Sequence, residues 1–153
     1  TELGVSQIWA FPADWSVAKW DGKKLGKKVE KLEKIALGAA EQSKRNLVPS
    51  ITLFEKKADF LAQLEQFDRI VVAYEESAKE GEAAALLQSL TGLEAGSKLL
   101  FIFGPEGGLS PAEIESFTAK GAVLAGLGPR ILRAETAPLY ALSAVSVVTE
   151  LMN

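Results

Sequence analysis

Short apolar runs alternate with helical patterns along the 153 residues, and this alternation limits the possible folds more than any other feature. The apolar runs predict strands over residues 5–11, 50–54, 69–74, 98–103 and 123–127. Apolar residues spaced by three and four predict helices over residues 23–45, 58–67, 82–90, 111–121 and 136–152. Five such repeats in one chain predict a single α/β domain over residues 1–153, with a parallel sheet and helices on both faces.

One strand and one helix carry stronger local signals than the others. The run over residues 98–103 is apolar without alternation, which predicts a strand buried on both faces. The helix after it begins with Ser110, Pro111 and Glu113, which is the pattern of a capping box with proline at the first helical position.

The missing residue types restrict the chemistry. The chain has no cysteine, which excludes disulfides, thiolate metal sites and a cysteine nucleophile. It also has no histidine, which removes the usual general base, the Ser-His-Asp triad and the common zinc ligand. We therefore predict no metal site, and we favour a reaction in which binding and orientation dominate over proton transfer.

Charge and hydropathy indicate the cellular setting. The apolar runs span only a few residues, whereas a membrane helix needs about 20, and the first residues do not form a signal peptide. We therefore expect a cytoplasmic protein that spans no membrane. The net charge is −3, yet seven lysines lie between Lys19 and Lys34. This run is either a solvated helix face or a surface that contacts phosphates.

Three segments follow predicted strands and so lie where parallel α/β sheets bind ligands. The first begins with Tyr74 and Glu75. The second, residues 104–110, reads GPEGGLS and suits either a tight strand-to-helix turn or close backbone approach to a ligand. It lacks the Lys-[Ser/Thr] ending of a phosphate-binding loop and the spacing of a dinucleotide fingerprint.

The third segment, residues 127–137, reads LGPRILRAETA. One interpretation is an ion pair between Arg133 and Glu135, with Ile131 and Leu132 filling the core. The other places Arg130 and Arg133 against phosphate or a base. The spacing alone leaves both open.

These two motifs, in this order, closely resemble the RsmE family of 16S ribosomal RNA uridine N3-methyltransferases, which belong to the SPOUT superfamily. Residues 1–5 (TELGV) and 34–49 (KIALGAAEQSKRNLVP) match the same family, so the resemblance covers essentially the whole chain. Two segments depart from it: Asp14-Trp15-Ser16 replaces the usual Glu-Arg-Ser, and Leu32 stands where tryptophan is common. The first departure loses an arginine.

The resemblance implies a fold in which the carboxy-terminal strand and helix thread a loop to form a trefoil knot, a rare exception to the rule against knots. It also implies a PUA-like β-barrel, with a strand and helix, before Thr1. Residues 1–4 read as the last turn of a helix closed by glycine, which agrees with preceding sequence. SPOUT enzymes are usually homodimers with the site near the interface, often packed through the terminal helix, so the resemblance implies a homodimer.

The resemblance further implies that the knotted loops hold S-adenosylmethionine through backbone groups and apolar walls. The implied cofactor-binding residues are Tyr74, Glu75, Phe103, Gly104, Pro105, Glu106, Gly107, Gly108, Leu127, Gly128, Ile131, Leu132, Arg133 and Ala137. For catalysis we expect Arg133 to stabilise negative charge on the uracil, Glu135 to orient Arg133, and Glu106 to act as base or bind the ribose. The expected substrate is 16S ribosomal RNA in the small ribosomal subunit, contacted by Gln42, Lys44 and Arg45.

Other functions stay open at this point. The nearest alternative is another SPOUT methyltransferase that acts on a ribose hydroxyl or a guanine of transfer RNA; the paired motifs at 104–110 and 127–137 argue against it, and mapping the modified nucleotide decides. The chain is also compatible with a non-catalytic module that binds RNA or a nucleotide, or with a structural domain without a ligand. Binding of S-adenosylmethionine, measured by calorimetry, separates the enzymes from the other two.

Overall fold

A computed structural model describes residues 1–76 and 84–152 of the chain. The predicted order of strands and helices is confirmed within these residues, and the predicted start of a helix at Glu82 lies outside them. The elements are β1 (Gln7–Ala10), α1 (Gly22–Gln42), β2 (Ser50–Leu53), α2 (Lys57–Ala62), a 3-10 turn (Leu64–Gln66), β3 (Arg69–Ala73), α3 (Ala84–Leu90), β4 (Leu99–Ile102), α4 (Pro111–Ala119), β5 (Val123–Ala125), α5 (Thr136–Ser146) and a π-helical turn (Val147–Leu151).

The chain divides into two compact units. Unit 1 comprises residues 1–12 and 17–60, and unit 2 comprises residues 13–16 and 61–153. The strands are parallel, as predicted, but they form two sheets rather than one. β1 pairs with β2 in unit 1, and unit 2 has the strand order β4-β3-β5. Apolar periodicity identifies a strand but not its partner, so the number of sheets was not predictable from it.

Unit 1 is built on α1 and a cluster of aromatic rings. The Asp21 side chain caps α1 by accepting a hydrogen bond from the Lys23 amide (3.1 Å), and α1 buries Ala36 and Ala40. The ring of Phe60 stacks on Phe11 with centroids 4.3 Å apart. It also meets Trp9 and Phe54 edge-on. This arrangement gives a small unit a dense apolar centre, because aromatic rings bury large areas.

The core of unit 2 is centred on β3, the middle strand of its sheet. Val71 and Val72 are fully buried there, and Val71 packs in a cluster with Leu90, Ala125 and Ala141. Burial on both faces was also predicted for residues 98–103, and within β4 it is confirmed in part. Phe101 packs against the core cluster, and Ile102, on the opposite face of the strand, is 2% exposed, whereas Leu99 and Leu100 are half-buried. β4 nevertheless lies at one end of the strand order. A strand between two neighbours, not the most apolar run, occupies the centre.

The terminal helix shows two apolar sides. Ala144, Val145 and Val148 pack against the core of unit 2, so the alanine- and valine-rich side of residues 141–148 serves core packing. A second set of apolar side chains is exposed on α5 and the turn after it: Leu139, Tyr140, Val147 and Leu151. Within the described residues, no helix combines the length and hydropathy needed to cross a membrane.

Candidate functional site

A cavity of about 100 Å³ lies where β3 and β5 end side by side. The register that pairs Ala73 with Ala125 brings the segments after both strands together, and the Tyr74 amide donates to the Ala125 carbonyl (3.0 Å). The lining residues are Ala73, Tyr74 and Glu75 after β3, and Leu127, Gly128, Arg130, Ile131, Leu132 and Ala137 after β5. The first and third predicted segments therefore form one concave surface at the ligand-binding edge of a parallel sheet.

The wall of this cavity is mostly apolar, with one carboxylate and one guanidinium in its lining. Leu132 and Ala137 pack against the core cluster, so that side of the wall is fixed by unit 2 itself. Ordinary ligand pockets enclose about 300–1,000 Å³. A cavity of 100 Å³ encloses only part of a nucleoside-sized ligand.

Gly128 adopts φ +93°, a left-handed conformation that favours glycine. A Cβ added there would lie 3.5 Å from the Tyr140 hydroxyl, an ordinary contact, so the constraint comes from the backbone rather than from space. The main chain at Gly128 is thus held in an otherwise strained conformation at the cavity wall.

We expect Gly128→Ala to lower the free energy of unfolding by about 1–2 kcal/mol because alanine is strained at this φ. Gly38→Ala is the control, since Gly38 lies within α1 and a Cβ there would meet nothing within 4 Å. That change should raise stability by up to about 1 kcal/mol, as alanine favours a helix. Urea denaturation measures the stability of both variants. Equal effects of the two substitutions would contradict a backbone constraint at Gly128.

Arg133 and Glu135 form an exposed ion pair next to the cavity. Nη1 of Arg133 lies 3.7 Å from Oε1 of Glu135, and the side chains are 85% and 67% exposed. The Arg133 carbonyl accepts hydrogen bonds from the amides of Thr136 and Ala137 (3.0 Å each), so the first turn of α5 fixes the backbone that carries the guanidinium. The predicted ion pair is confirmed. The interpretation that put Ile131 in the core is wrong, because its side chain is 78% exposed.

The glycine-rich segment 104–110 forms a tight turn. The Gly108 amide donates to the Pro105 carbonyl (2.8 Å), and Gly108 has φ +81°. At Gly104 a Cβ would lie 3.0 Å from Cγ of Leu109, so a larger residue would push against the turn. In the described part of the chain, no residue of this turn lines the cavity. A cofactor contact by Gly104, Pro105, Glu106, Gly107 and Gly108 stays a prediction.

Two further predicted cofactor residues lie outside the cavity lining. Phe103 is half-buried, packs against the core cluster and stacks on Phe101 with ring centroids 5.9 Å apart. Arg133 is exposed beside the cavity rather than in its wall. The structure gives Phe103 a clear role in packing.

The predicted capping box is confirmed and has an additional partner. Oγ of Ser110 accepts from the Glu113 amide (3.2 Å), and Oε2 of Glu113 accepts from the Ser110 amide (2.9 Å). The second carboxylate oxygen, Oε1, accepts from the Asp14 amide (2.9 Å), and Ser110 Oγ donates to Oδ2 of Asp14 (2.5 Å). Glu113 is only 2% exposed, so its carboxylate is a buried junction.

No local pattern predicted the contact between Asp14 and Glu113, because these residues are 99 positions apart in the chain. Its effect is to place the 13–16 segment against the glycine-rich turn, since a Cβ at Gly107 would lie 3.4 Å from Cβ of Trp15. The departure from the family pattern at residues 14–16 therefore falls next to the second predicted segment.

The three predicted RNA-binding residues lie at the end of α1. Gln42 is the last residue of the helix, and Lys44 is exposed with φ +56°. Nη1 of Arg45 donates to the carbonyls of Thr1 (2.7 Å) and Val5 (3.2 Å). Arg45 thus holds the amino-terminal segment in place, a role that its sequence position did not reveal. RNA contact by these residues stays a prediction.

A second, wider hollow of about 580 Å³ is lined by Leu61, Glu65, Ser116, Ala119 and Lys120. Lys120 Nζ lies 2.8 Å from Oε1 of Glu65, and this hydrogen bond lowers the pKa of Glu65 below its ordinary value. The hollow contains no strand-end residue and only this exposed ion pair, which is typical of ordinary surface. Among the described residues, no cluster of three or more acidic side chains could hold a metal ion.

Comparison with known proteins connects this geometry to a family. The model of the RNA methyltransferase domain family matches residues 1–146. The ribosomal RNA small subunit methyltransferase E of Bacillus subtilis is 53% identical over 153 residues, which is 100% of this chain and 60% of that protein. The Mycobacterium tuberculosis protein of the same name is 32% identical over 149 residues, covering 97% of this chain and 56% of the relative.

Solved structures agree with these relatives. A ribosomal RNA small subunit methyltransferase E from Neisseria gonorrhoeae, bound to S-adenosyl methionine, superposes with a TM-score of 0.74 at 26% identity. The match covers 97% of this chain and 58% of that one. A Legionella pneumophila protein with bound cofactor SAM gives the same TM-score at 28% identity, with coverage of 95% and 57%. The chain thus spans about three fifths of the length of these proteins.

Proposed function

This chain belongs to the RsmE family of RNA methyltransferases, and from that premise we propose that it methylates 16S ribosomal RNA of the small subunit at the N3 of a uridine. The observation that carries the proposal is 53% identity, over the full chain, to a small-subunit ribosomal RNA methyltransferase. The cavity at the ends of β3 and β5 supports it, because six of its nine lining residues belong to the 127–137 segment, which carries the family resemblance.

We propose S-adenosylmethionine as the methyl donor, bound at this cavity. The lining fits such a ligand: Leu132, Ala137 and Leu127 offer an apolar surface to an adenosyl group, and Gly128 leaves the main chain uncovered. The Glu75 carboxylate in the lining suits a hydroxyl-bearing or cationic group. Because the cavity is small, the proposal needs a second wall, which we assign to Phe103 and the 104–108 turn.

The donor supplies an activated methyl group. The main task of the chain is therefore to orient the acceptor and to stabilise the negative charge that develops on it. With the donor bound, its methyl carbon would bond to N3 of the uracil as the bond to sulfur breaks, and the N3 proton would pass to Glu106 or to solvent water. We assign stabilisation of the charge on the uracil carbonyl oxygens to the Arg133 guanidinium, with Glu135 orienting it. Glu106 either accepts the N3 proton or binds the ribose.

Uracil N3 lies on the Watson–Crick edge, so the target base must be unpaired or flipped out of the helix. Arginine and phosphate contacts hold such RNA sites, and we assign this role to Gln42, Lys44 and Arg45. The exposed guanidinium of Arg133 is accessible to an acceptor that arrives from solution.

We further propose the family architecture for the whole protein. The family model spans both compact units, which supports a single methyltransferase domain over residues 1–153. The proposal includes helices on both sheet faces, a knotted carboxy terminus, a homodimer packed through the terminal helix and a cytoplasmic location. The exposed Leu139, Tyr140 and Val147 on that helix support the dimer, because they form an apolar surface.

Methyl transfer from labelled S-adenosylmethionine to small ribosomal subunits tests the activity. The subunits should come from cells that lack the corresponding enzyme, so that the acceptor position is unmodified. We expect one labelled N3-methyluridine in 16S RNA, identified by nuclease digestion and mass spectrometry. Label in transfer RNA, or in a ribose or guanine, would overturn the proposal in favour of another SPOUT activity.

Calorimetry with S-adenosylmethionine and with ATP decides between an enzyme and a non-catalytic module. We expect binding of the first and none of the second. Binding of neither, or of ATP alone, would contradict the assignment of the cavity. Calorimetry measures cofactor binding without any need for RNA to bind. This matters because the chain spans 60% of the length of its Bacillus relative, whose remaining part could contribute to RNA binding.

A further inference from the structure

We infer that one face of α1 is a phosphate-binding surface that docks RNA outside the catalytic cavity. This inference rests on the proposed function only for the identity of the polyanion. The surface, which we call the lysine face, consists of six lysines in the first two thirds of the helix: Lys23, Lys24, Lys27, Lys28, Lys31 and Lys34.

All six lysines are exposed, and they share one side of the helix. At 3.6 residues per turn they cover an arc of roughly 140°. The side that packs into unit 1 is opposite, where Ala36 and Ala40 are buried and Leu25 and Val29 are half-buried. This position is that of an ordinary solvated face of an amphipathic helix. What is unusual about the lysine face is the excess of one charge sign within it.

The charge is concentrated there on an otherwise acidic chain. Residues 22–34 carry six lysines against Glu30 and Glu33, a net charge of +4, whereas the whole chain carries −3. The remaining 140 residues therefore carry −7. Such a distribution repels polyanions over most of the chain and attracts them at a single helix face.

Helix stability does not explain this arrangement. The first turn of α1 contains Lys23 and Lys24 and no acidic residue, although the helix dipole favours acids there and disfavours cations. The spacing also sets like charges one turn apart, as in Lys23 with Lys27 and Lys24 with Lys28, which destabilises a helix. Glu30 offsets this repulsion only for its helix neighbours Lys27 and Lys34.

Within residues 1–76 and 84–152, none of the six lysines forms an ion pair with the protein. Lys28 contacts the Trp20 ring, with Nζ 5.5 Å from the ring centroid. That contact still leaves the ammonium group able to meet an anion, because a cation over a ring keeps its charge. The face thus presents a row of cations whose mutual repulsion a polyanion would relieve.

RNA fits this surface better than an acidic membrane does. From Lys23 to Lys34 the helix rises by roughly 17 Å, about five steps of a stacked strand at 3.4 Å each. Insertion into a membrane surface uses an apolar helix face beside the cations, and the apolar face of α1 contributes Ala36 and Ala40 to the core of unit 1. A polyanion that lies along the helix needs no such face.

The test measures RNA affinity as a function of salt for the wild type and two triple variants. The probe is a fluorescently labelled RNA hairpin of about 20 nucleotides with the sequence of the 16S target region. One variant neutralises the centre of the lysine face: Lys24→Gln, Lys27→Gln and Lys31→Gln. The control removes three exposed lysines elsewhere: Lys56→Gln, Lys98→Gln and Lys120→Gln.

We expect the lysine-face variant to bind the hairpin on the order of tenfold or more weakly at 0.1 M salt. The magnitude of the slope of log K against log salt should fall by about 2–3, since each of three phosphate contacts contributes about 0.7 in a single strand and about 0.9 in a duplex. The control should keep the wild-type slope and affinity within about twofold. The melting temperature of the lysine-face variant should equal or exceed that of the wild type, because the change removes repulsion within α1.

Equal loss of affinity in both variants, or loss in neither, would overturn the inference. So would lysine-dependent binding to vesicles of phosphatidylserine and phosphatidylcholine without lysine-dependent binding to the hairpin. Calorimetry with S-adenosylmethionine, run on the same preparations, keeps the two proposals apart. Failure of the wild type to bind that cofactor contradicts the proposed function, while the salt slopes still decide the role of the lysine face.

Discussion

Replacing Arg133 with alanine should lower the rate of methyl transfer by about 10²–10³-fold, which corresponds to roughly 3–4 kcal/mol of lost transition-state stabilisation. The affinity for S-adenosylmethionine should stay within a few-fold of the wild type. The reason is positional: the guanidinium is 85% exposed beside the cavity and is absent from its lining. This position agrees with the proposed contact to the acceptor and gives no reason to expect a large loss of cofactor affinity.

The fold should tolerate this change. The Arg133 carbonyl, not its side chain, makes the hydrogen bonds that begin α5, and the ion pair with Glu135 is exposed and so contributes little stability. Single-turnover transfer of labelled methyl to small subunits gives the rate, and calorimetry gives the cofactor affinity. Transfer near the wild-type rate would refute the assignment.

Two companion variants sharpen the measurement. Arg133→Lys keeps the charge but loses the planar pair of donors, so we expect an intermediate rate. Glu135→Gln removes the partner charge at 3.7 Å and should slow transfer less than Arg133→Ala, because the guanidinium remains. If Glu135→Gln lowered the rate of methyl transfer more than Arg133→Ala, the carboxylate of Glu135, and not the guanidinium of Arg133, would be the principal catalytic group.

Replacing Glu113 with alanine should lower the free energy of unfolding by about 3 kcal/mol. The substitution leaves the amides of Asp14 and Ser110 without their acceptor, and each lost partner of a buried donor costs about 1–3 kcal/mol. For a chain of this length the melting temperature should fall by roughly 6–12 °C. Thermal denaturation followed by circular dichroism, together with urea midpoints, measures the effect.

Glu115→Ala on the same helix is the matched control, since that side chain is exposed and should change stability by less than about 0.5 kcal/mol. Glu113→Gln should fall between the two, because its amide NH₂ would face an N–H donor where a carboxylate oxygen now accepts. If Glu113→Ala were as stable as Glu115→Ala, the buried carboxylate of Glu113 would contribute nothing to the stability of unit 2.

Local patterns predicted the parts of this fold that depend on neighbouring residues. Ser110, Pro111 and Glu113 predicted the start of α4 because all partners of a capping box lie within one turn. The segments after β3 and β5 were also predicted as the ligand-binding edge, since that rule follows from parallel pairing alone.

Features that depend on distant residues were not predictable in this way. The second partner of the Glu113 carboxylate lies 99 residues away at Asp14, and Arg45 binds carbonyls at the start of the chain. The exposure of Ile131 shows the same limit, because an apolar side chain in a loop carries no periodicity to indicate its direction.

The parallel pairings described above have a consequence for how the chain reaches its native state. Gln7 pairs with Ser50, Arg69 with Leu99, and Val71 with Val123, so these strand contacts span about 30 to 50 residues. A chain of this topology begins with slow, entropically costly loop closure, which predicts folding in milliseconds to seconds. During synthesis β3 can pair with β5 only after Val123–Ala125 has emerged from the ribosome. Until that point the side of β3 that pairs with β5, including its valines, remains uncovered.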